Sequence, residues 1–470
     1  MDGRRVLGRV AREEFTGRAG ALKEIVRLGS REAETRGLLV LAAPAVGASE
    51  LLRQTYDDLF HLRGETIPIY FALARSDKTT VGSARRFLHT FLQQLIAFRR
   101  RDPALSDASL PTAELLDLAV PSDSEWVENL FEASERERLR GDERAFIRLC
   151  LSAPQRAAAR GLDVLVMLDS VHLAENLDGE VALGTEIAQV FLRSDMPFVL
   201  EGLRRRLLDV VHCAGDGLDG IRTLRLGPLS DEDSRALVEH AARRQRIAVN
   251  EQTRDLIVQQ LGGRPFFINA LLQAAREKNV ELTSFLNCQR LYVDELMGGR
   301  INRHYASLLE EVAPGLAPRR ALIRALYESA ASDSGKSQIE TWRKRLGLDA
   351  DQLQSVLREL HVNELASVSA SFVEVGNSAS LWGDFLHARY RLEVSAEPRA
   401  LVVADLLLET LKRAPQTMAR HYRRAAAVGL RDMLARFNCQ RVPASLLHYE
   451  RFSRAYKGVD GEAVAAGLDA

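Results

Sequence analysis

The chain has 470 residues, too long for one ordinary hydrophobic core, and about two to four domains are expected. Its apolar share is 46%, normal for a globular protein, and 64 basic side chains balance 64 acidic ones. Zero net charge excludes a strongly basic nucleic-acid coat or a long acidic tail, but not a local basic groove.

The sequence from Phe15-Thr16-Gly17-Arg18 leads into an amphipathic helix ending near Gly29, with Ala21, Leu22, Ile25, Val26 and Leu28 as its stripe. Residues 37–43 form a short apolar run after a glycine, long enough for a buried strand and too short for a buried helix. Pro44 and Gly47 mark a turn, and helical spacing resumes at Ser49. Residues 67–73 read as a second strand, followed by a helix over 82–100. The stretch 102–161 is expected to be mostly helical, broken by Pro103, Pro111 and Pro121. Further strands are expected at 163–169, 197–202 and 221–226. Strands alternating with helices imply an α/β domain, a parallel sheet covered on both faces.

After Leu229 the pattern becomes helical: 230–244 capped by Ser230, 250–261 stopped by Gly262-Gly263, and a helix opened by Pro265. Residues 319–329, 337–346 and 349–360 then read as three helices and 364–369 and 371–375 as two strands, the order of a winged helix. The remainder, from Leu381, reads as largely helical. The expected domains are 1–229, 230–314, 315–395 and 396–470.

A phosphate loop, G-x-x-x-x-G-K-[ST] between strand and helix, aims backbone N–H groups at phosphate oxygens. Its lysine reaches the β- and γ-phosphates, and its hydroxyl holds Mg²⁺. Residues 42–49 occupy that context, with Pro44 inside the turn, Gly47 as the second glycine and Ser49 as the hydroxyl. Ala42 replaces the first glycine, Ala48 the lysine and Ala45 a further glycine common in such loops. Apolar residues 164–168 ending in Asp169 match a Walker B strand, with Ser170 where a water-orienting Glu is usual. Each element alone also fits a bland account: an incidental glycine, a strand ending in Asp, a solvated Arg cluster.

Taken in order, these segments resemble the STAND and AAA+ ATPases over about residues 14–390. Phe15-Thr16-Gly17-Arg18 is similar to the family's F-x-G-R-E opening, with Ala19 for the Glu, and 226–230 to its entry into the lid. Residues 198–206 resemble the strand before a sensor or arginine-finger position, for which Arg204, Arg205 and Arg206 are candidates, and Gly263-Arg264-Pro265 resembles the G-x-P element. The resemblance implies a P-loop NTPase sheet followed by a helical lid, a winged-helix domain and C-terminal helices. It implies nucleotide contacts at Pro44, Gly47, Ser49, Asp169, Arg204 and Pro265. With the lysine and glutamate missing, it implies an inactive module with no cofactor or weakly bound ATP or ADP. Its work would be that of a scaffold or regulatory partner, with protein partners, in a bacterial signalling or defence assembly.

Two alternatives are carried. One is an active ATPase whose missing cation comes from Lys78, Arg204 or a neighbouring subunit. The other is a winged-helix DNA-binding regulator using Arg343-Lys344-Arg345; Asp349, Asp351 and Glu359 make the candidate recognition helix, 349–360, poorly basic. No apolar run reaches the ~18–20 residues of a membrane helix, and the first thirty residues hold no apolar h-region. Cys150, Cys213, Cys288 and Cys439 form no C-x-x-C pair, so a cytoplasmic chain without disulfides or metal is expected. The partner, the trigger and oligomerisation stay open, as does whether the chain is a fragment of a longer protein.

Overall fold

The computed structural model describes residues 5–30, 35–62, 64–213, 219–332, 336–376 and 380–437. The last part of the expected C-terminal region, 438–470, lies outside the described residues.

Five strands form one parallel sheet: β1 (Gly37–Ala42), β2 (Ile67–Ala72), β3 (Val164–Asp169), β4 (Phe198–Leu203) and β5 (Ile221–Leu226), in the order β2-β3-β4-β1-β5. Every residue of β1 and β3 is buried, because helices cover both faces, and this is why both strands read as unbroken apolar runs. The edges explain the exceptions. On β5, Arg222, Thr223 and Arg225 face solvent. On β2, Pro68 is tolerated because that strand pairs only with β3. Its free side is closed by Gln94 of the helix Thr80–Arg100, which accepts from the Tyr70 N–H at 2.7 Å and donates to the Tyr70 carbonyl at 3.0 Å.

Gly37 opens β1 opposite Phe198, and a Cβ there would stand 2.3 Å from the Phe198 ring. Only a residue without a Cβ leaves room there for the tip of that ring.

Two hydrophobic cores divide the described chain. One runs from Leu22 to Leu226 and centres on the sheet. The other runs from Val238 to Met418, so the expected lid, winged-helix and C-terminal segments share one interior. The helix Asp231–Gln245 is capped by Ser230, Glu251–Leu261 by an Asn250–Thr253 capping box, and Pro265–Lys278 starts with proline in its first turn.

Beyond Leu316–Ala330, the strands β6 (Lys336–Gln338), β7 (Ser367–Val368) and β8 (Phe372–Glu374) form an antiparallel sheet in the order β6-β8-β7. The helices Ile339–Leu346 and Ala350–Val362 lie between β6 and β7 in sequence. β6 takes the start of the helix expected at 337–346. Three polar residues show no strand periodicity, and their state is decided by pairing with β8, including Lys336 with Glu374 at 3.6 Å. The described residues end with a π-turn at Tyr390–Val394 and the long helix Arg399–Phe437.

Candidate functional site

β1 delivers the loop 43–47 to the carboxyl edge of the sheet, where open α/β sheets place ligands. Gly47 caps the helix Ala48–His61 with φ of 83°, in the left-handed region that glycine enters without penalty. Ala45 adopts φ of 64° despite its Cβ, a conformation that costs about 1–2 kcal/mol. The loop therefore holds two left-handed positions, one of them a strained alanine.

Ser49, in the first turn of that helix, donates to Asp169 Oδ1 at 3.0 Å, so the structure brings these two expected residues together. Two further hydroxyls share the carboxylate: Ser170 donates to Oδ1 at 3.1 Å and Tyr70 to Oδ2 at 2.5 Å. Glu201 of β4 lies beside Asp169 and accepts the Ser170 N–H at 2.9 Å. Burial first, then the neighbouring Asp169, pushes the Glu201 carboxyl well above the usual range, so it stays protonated and hydrogen-bonds Asp169. Burial also raises Tyr70, reinforced by Asp169, which keeps its hydroxyl a donor. Asp169 and Glu201 are 1% and 4% exposed, so this is an interior network of hydroxyls around one carboxylate.

The start of the helix Pro265–Lys278 closes the loop from the other side. The Phe266 N–H donates to the Ala45 carbonyl at 3.4 Å, and a Cβ on Gly47 would lie 3.8 Å from Pro265. Arg18 donates to the Val46 carbonyl at 3.3 Å and the Gly227 carbonyl at 2.6 Å. Leu229 N–H donates to the Gly263 carbonyl at 2.8 Å, joining the exit of β5 to the turn before the helix Pro265–Lys278. Pro265 thus sits against the loop, and Pro44 borders a cavity in the helical half.

The candidate cations are elsewhere. Arg204 pairs with Glu364 at 2.8 Å, and Lys78 is exposed in the segment after β2. Arg53 was not singled out by the sequence. It lies one turn beyond Ser49, over the Tyr70 ring at 5.2 Å, and meets Glu50 at 4.0 Å. Tyr70 and Glu201 were also missed. The available signal was a lone Tyr and a lone Glu inside apolar strands.

The residues present do not fit Mg·ATP. Both Asp169 oxygens accept from hydroxyl donors, Ala48 supplies no cation, and the Phe266 N–H is hydrogen-bonded to the loop itself. A lost charge-assisted contact is worth about 1.5–3 kcal/mol. Among the described residues no group of three or more His, Cys, Asp or Glu could hold a metal ion. No helix among them is long and apolar enough to cross a membrane.

Two pH predictions arise here. Glu201 binds its proton more tightly when folded than the unfolded value of ~4.3, so its contribution to stability is full below that pH and lost as pH rises toward the folded pKa. Glu201→Gln is expected to flatten the fall in melting temperature as pH rises above 5; an unchanged slope would contradict this assignment. His172 accepts the Leu203 N–H at 3.2 Å and is pushed down to about 4, chiefly by burial and then by Arg206. His304 is likewise pushed down to about 4 by burial, Arg75 and Arg264. Their contribution is full above the unfolded value of ~6.5 and lost as pH falls through 6.5 toward 4. The double variant His172→Asn, His304→Phe is expected to melt with a shallower acid slope over that window than the natural chain.

No protein-family model matches the chain, and no curated protein matches it. Among solved structures, a Walker-type ATPase of Pyrococcus abyssi is similar, with a TM-score of 0.50 at 15% identity, covering 81% of this chain and 98% of that one. The RuvB Holliday junction branch migration motor of Thermotoga maritima gives a TM-score of 0.40 at 12% identity, covering 78% and 95%. The Aeropyrum pernix ORC1 protein, solved in complex with DNA, gives 0.39 at 14% identity, covering 81% and 94%. The likeness to the Pyrococcus ATPase and the parallel sheet with its loop at the end of β1 show a P-loop ATPase fold.

Proposed function

We propose that the chain is a STAND-type ATPase-like module that does not hydrolyse ATP and acts as a scaffold or regulatory partner in a signalling or defence assembly. The observation that carries this reading is the occupation of both Asp169 oxygens by Ser49, Ser170 and Tyr70, in a loop with alanine at the lysine position. A buried carboxylate that already accepts from three hydroxyls offers a cation little room, and Ser170 supplies no base to orient water. Any ATP or ADP would be held weakly, by the loop backbone at Gly47 with Ser49.

In this reading the four segments 1–229, 230–314, 315–395 and 396–470 act as domains whose mutual positions are set by packing. The helix Ala350–Val362, which would serve a DNA groove, instead turns Arg358 and Glu359 to the α/β domain, meeting Asp209 at 3.4 Å and Arg206. This supports protein rather than DNA partners. Exposed Leu401 and Leu408, one heptad apart on the last helix, supply apolar surface for protein contact.

Turnover tests the reading. The natural chain and Ala48→Lys are both expected to show no Mg²⁺-dependent ATP hydrolysis above background, because the lysine alone restores neither a free Asp169 nor a base at 170. Hydrolysis by the natural chain that disappears in Asp169→Ala would refute it.

A further inference from the structure

A cavity of about 760 Å³ lies in the helical half, within the size range of small-molecule sites. Of the α/β domain only Pro44 and Pro228 reach it, while Gly47, Ser49 and Asp169 are not part of its wall. It touches the phosphate loop at Pro44 alone. Its walls come from the lid, the 336–376 region, the helix Leu381–Arg389 and the last helix.

Four fully charged side chains line it, and three are already neutralised. Glu364 holds Arg204 at 2.8 Å, Glu374 holds Lys336 at 3.6 Å, and Arg413 holds Asp384 at 2.9 Å. The Arg264 guanidinium has no hydrogen-bond or ion-pair partner among the described residues. His304 is uncharged at neutral pH, so the wall carries one uncompensated positive charge.

Beside that charge stands a bank of rings. Phe267 lies 5.5 Å from both His304 and Tyr305, and Tyr305 lies 5.0 Å from Trp382. The Trp382 Nε1, a donor only, is buried without a partner. A half-buried guanidinium without a counter-charge favours an anion, and the bank of rings beside it favours a flat ring.

We infer that this cavity binds a small organic anion built on a planar ring, its charged group on Arg264 and its ring against Tyr305 and Trp382. Mononucleotides and simple aromatic anions share that chemistry. A ligand so placed touches the lid and the helix Leu381–Arg389 at once, so it stabilises the interior that they share.

The test is calorimetric titration of the full chain with AMP, phenyl phosphate and inorganic phosphate. At least one ring-bearing probe is expected to bind below roughly 1 mM, at least about tenfold tighter than inorganic phosphate. Tighter AMP assigns a mononucleotide; tighter phenyl phosphate assigns a simple aromatic anion. Arg264→Gln is expected to weaken binding about tenfold, and Thr417→Trp, filling the cavity from the last helix, to remove it. Ser49→Ala is expected to leave it unchanged. Melting curves confirm that the variants fold. The inference is overturned if neither ring-bearing probe binds, if phosphate binds equally well, or if Ser49→Ala weakens binding as much as Arg264→Gln. None of these results depends on ATP turnover, so failure here and failure of the pseudo-ATPase reading are distinguishable.

Discussion

Arg206→Ala is expected to release the helix Ala350–Val362 from the α/β domain and to cost about 2–3 kcal/mol. Arg206 is 6% exposed and pairs with Glu359, with Glu175 at 3.8 Å. Breaking a fully buried pair from one side costs about 3–5 kcal/mol. Here the carboxylates are 32% and 31% exposed, so water recovers part of that. The neighbours act with it: Arg204 holds Glu364 and Arg205 donates to the His361 carbonyl. Chemical denaturation reads the stability loss, and faster proteolysis between the two cores, with a larger radius of gyration, reads the opening. Arg222→Ala, on the 62% exposed arginine of β5, is expected to stay within about 0.5 kcal/mol. If Arg206→Ala behaved like that control, the joint would not depend on this cluster.

Asp384→Ala is expected to be more damaging, about 3–5 kcal/mol, because it strands partners from two other helices. Asp384 is 5% exposed and lies on the helix Leu381–Arg389. It accepts from the Tyr292 hydroxyl at 2.7 Å and from Arg413 at 2.9 Å. Tyr292 is 1% exposed on Phe285–Gly298, and Arg413 comes from Arg399–Phe437. Without the carboxylate, a buried hydroxyl and a mostly buried guanidinium lose their acceptor together. Asp384→Asn keeps an acceptor but loses the charge, and an intermediate cost is expected. Denaturant titration measures both variants. A loss under about 1 kcal/mol for the alanine variant would mean that the last helix is held by its apolar face alone.

These two clusters also mark where sequence reading stops. The strands β1 and β3 are legible because both of their faces are buried, so composition alone reveals them. The loop is legible because strand, Pro44, Gly47 and Ser49 follow within a few residues, and Asp169 because it ends an apolar run. Their meeting at 3.0 Å follows from the phosphate-loop pattern. The rest of the network is not local. Tyr70 and Glu201 reach Asp169 because β3 lies between β2 and β4, and strand order is written in no single segment. Arg204, Arg205 and Arg206 read equally as a solvated face or as nucleotide-facing candidates. Their partners stand some 150 residues further on, at Glu364, His361 and Glu359. β6 escapes for the same reason, since Lys336–Gln338 becomes a strand only by pairing with β8.

The central claim is that the phosphate loop no longer carries Mg·ATP. It is tested most directly by denaturing the purified chain, assaying the released nucleotide by anion-exchange chromatography, and titrating the nucleotide-free protein with ATP and Mg²⁺ by calorimetry. The account predicts no co-purified ADP or ATP and, up to about 1 mM ATP, no saturable heat that requires Mg²⁺ or is lost in Ser49→Ala, a binding free energy at the loop weaker than about −4 kcal/mol. Stoichiometric ADP or ATP in the extract, or micromolar Mg·ATP affinity lost in Ser49→Ala, would contradict it and return the chain to the nucleotide-driven switches.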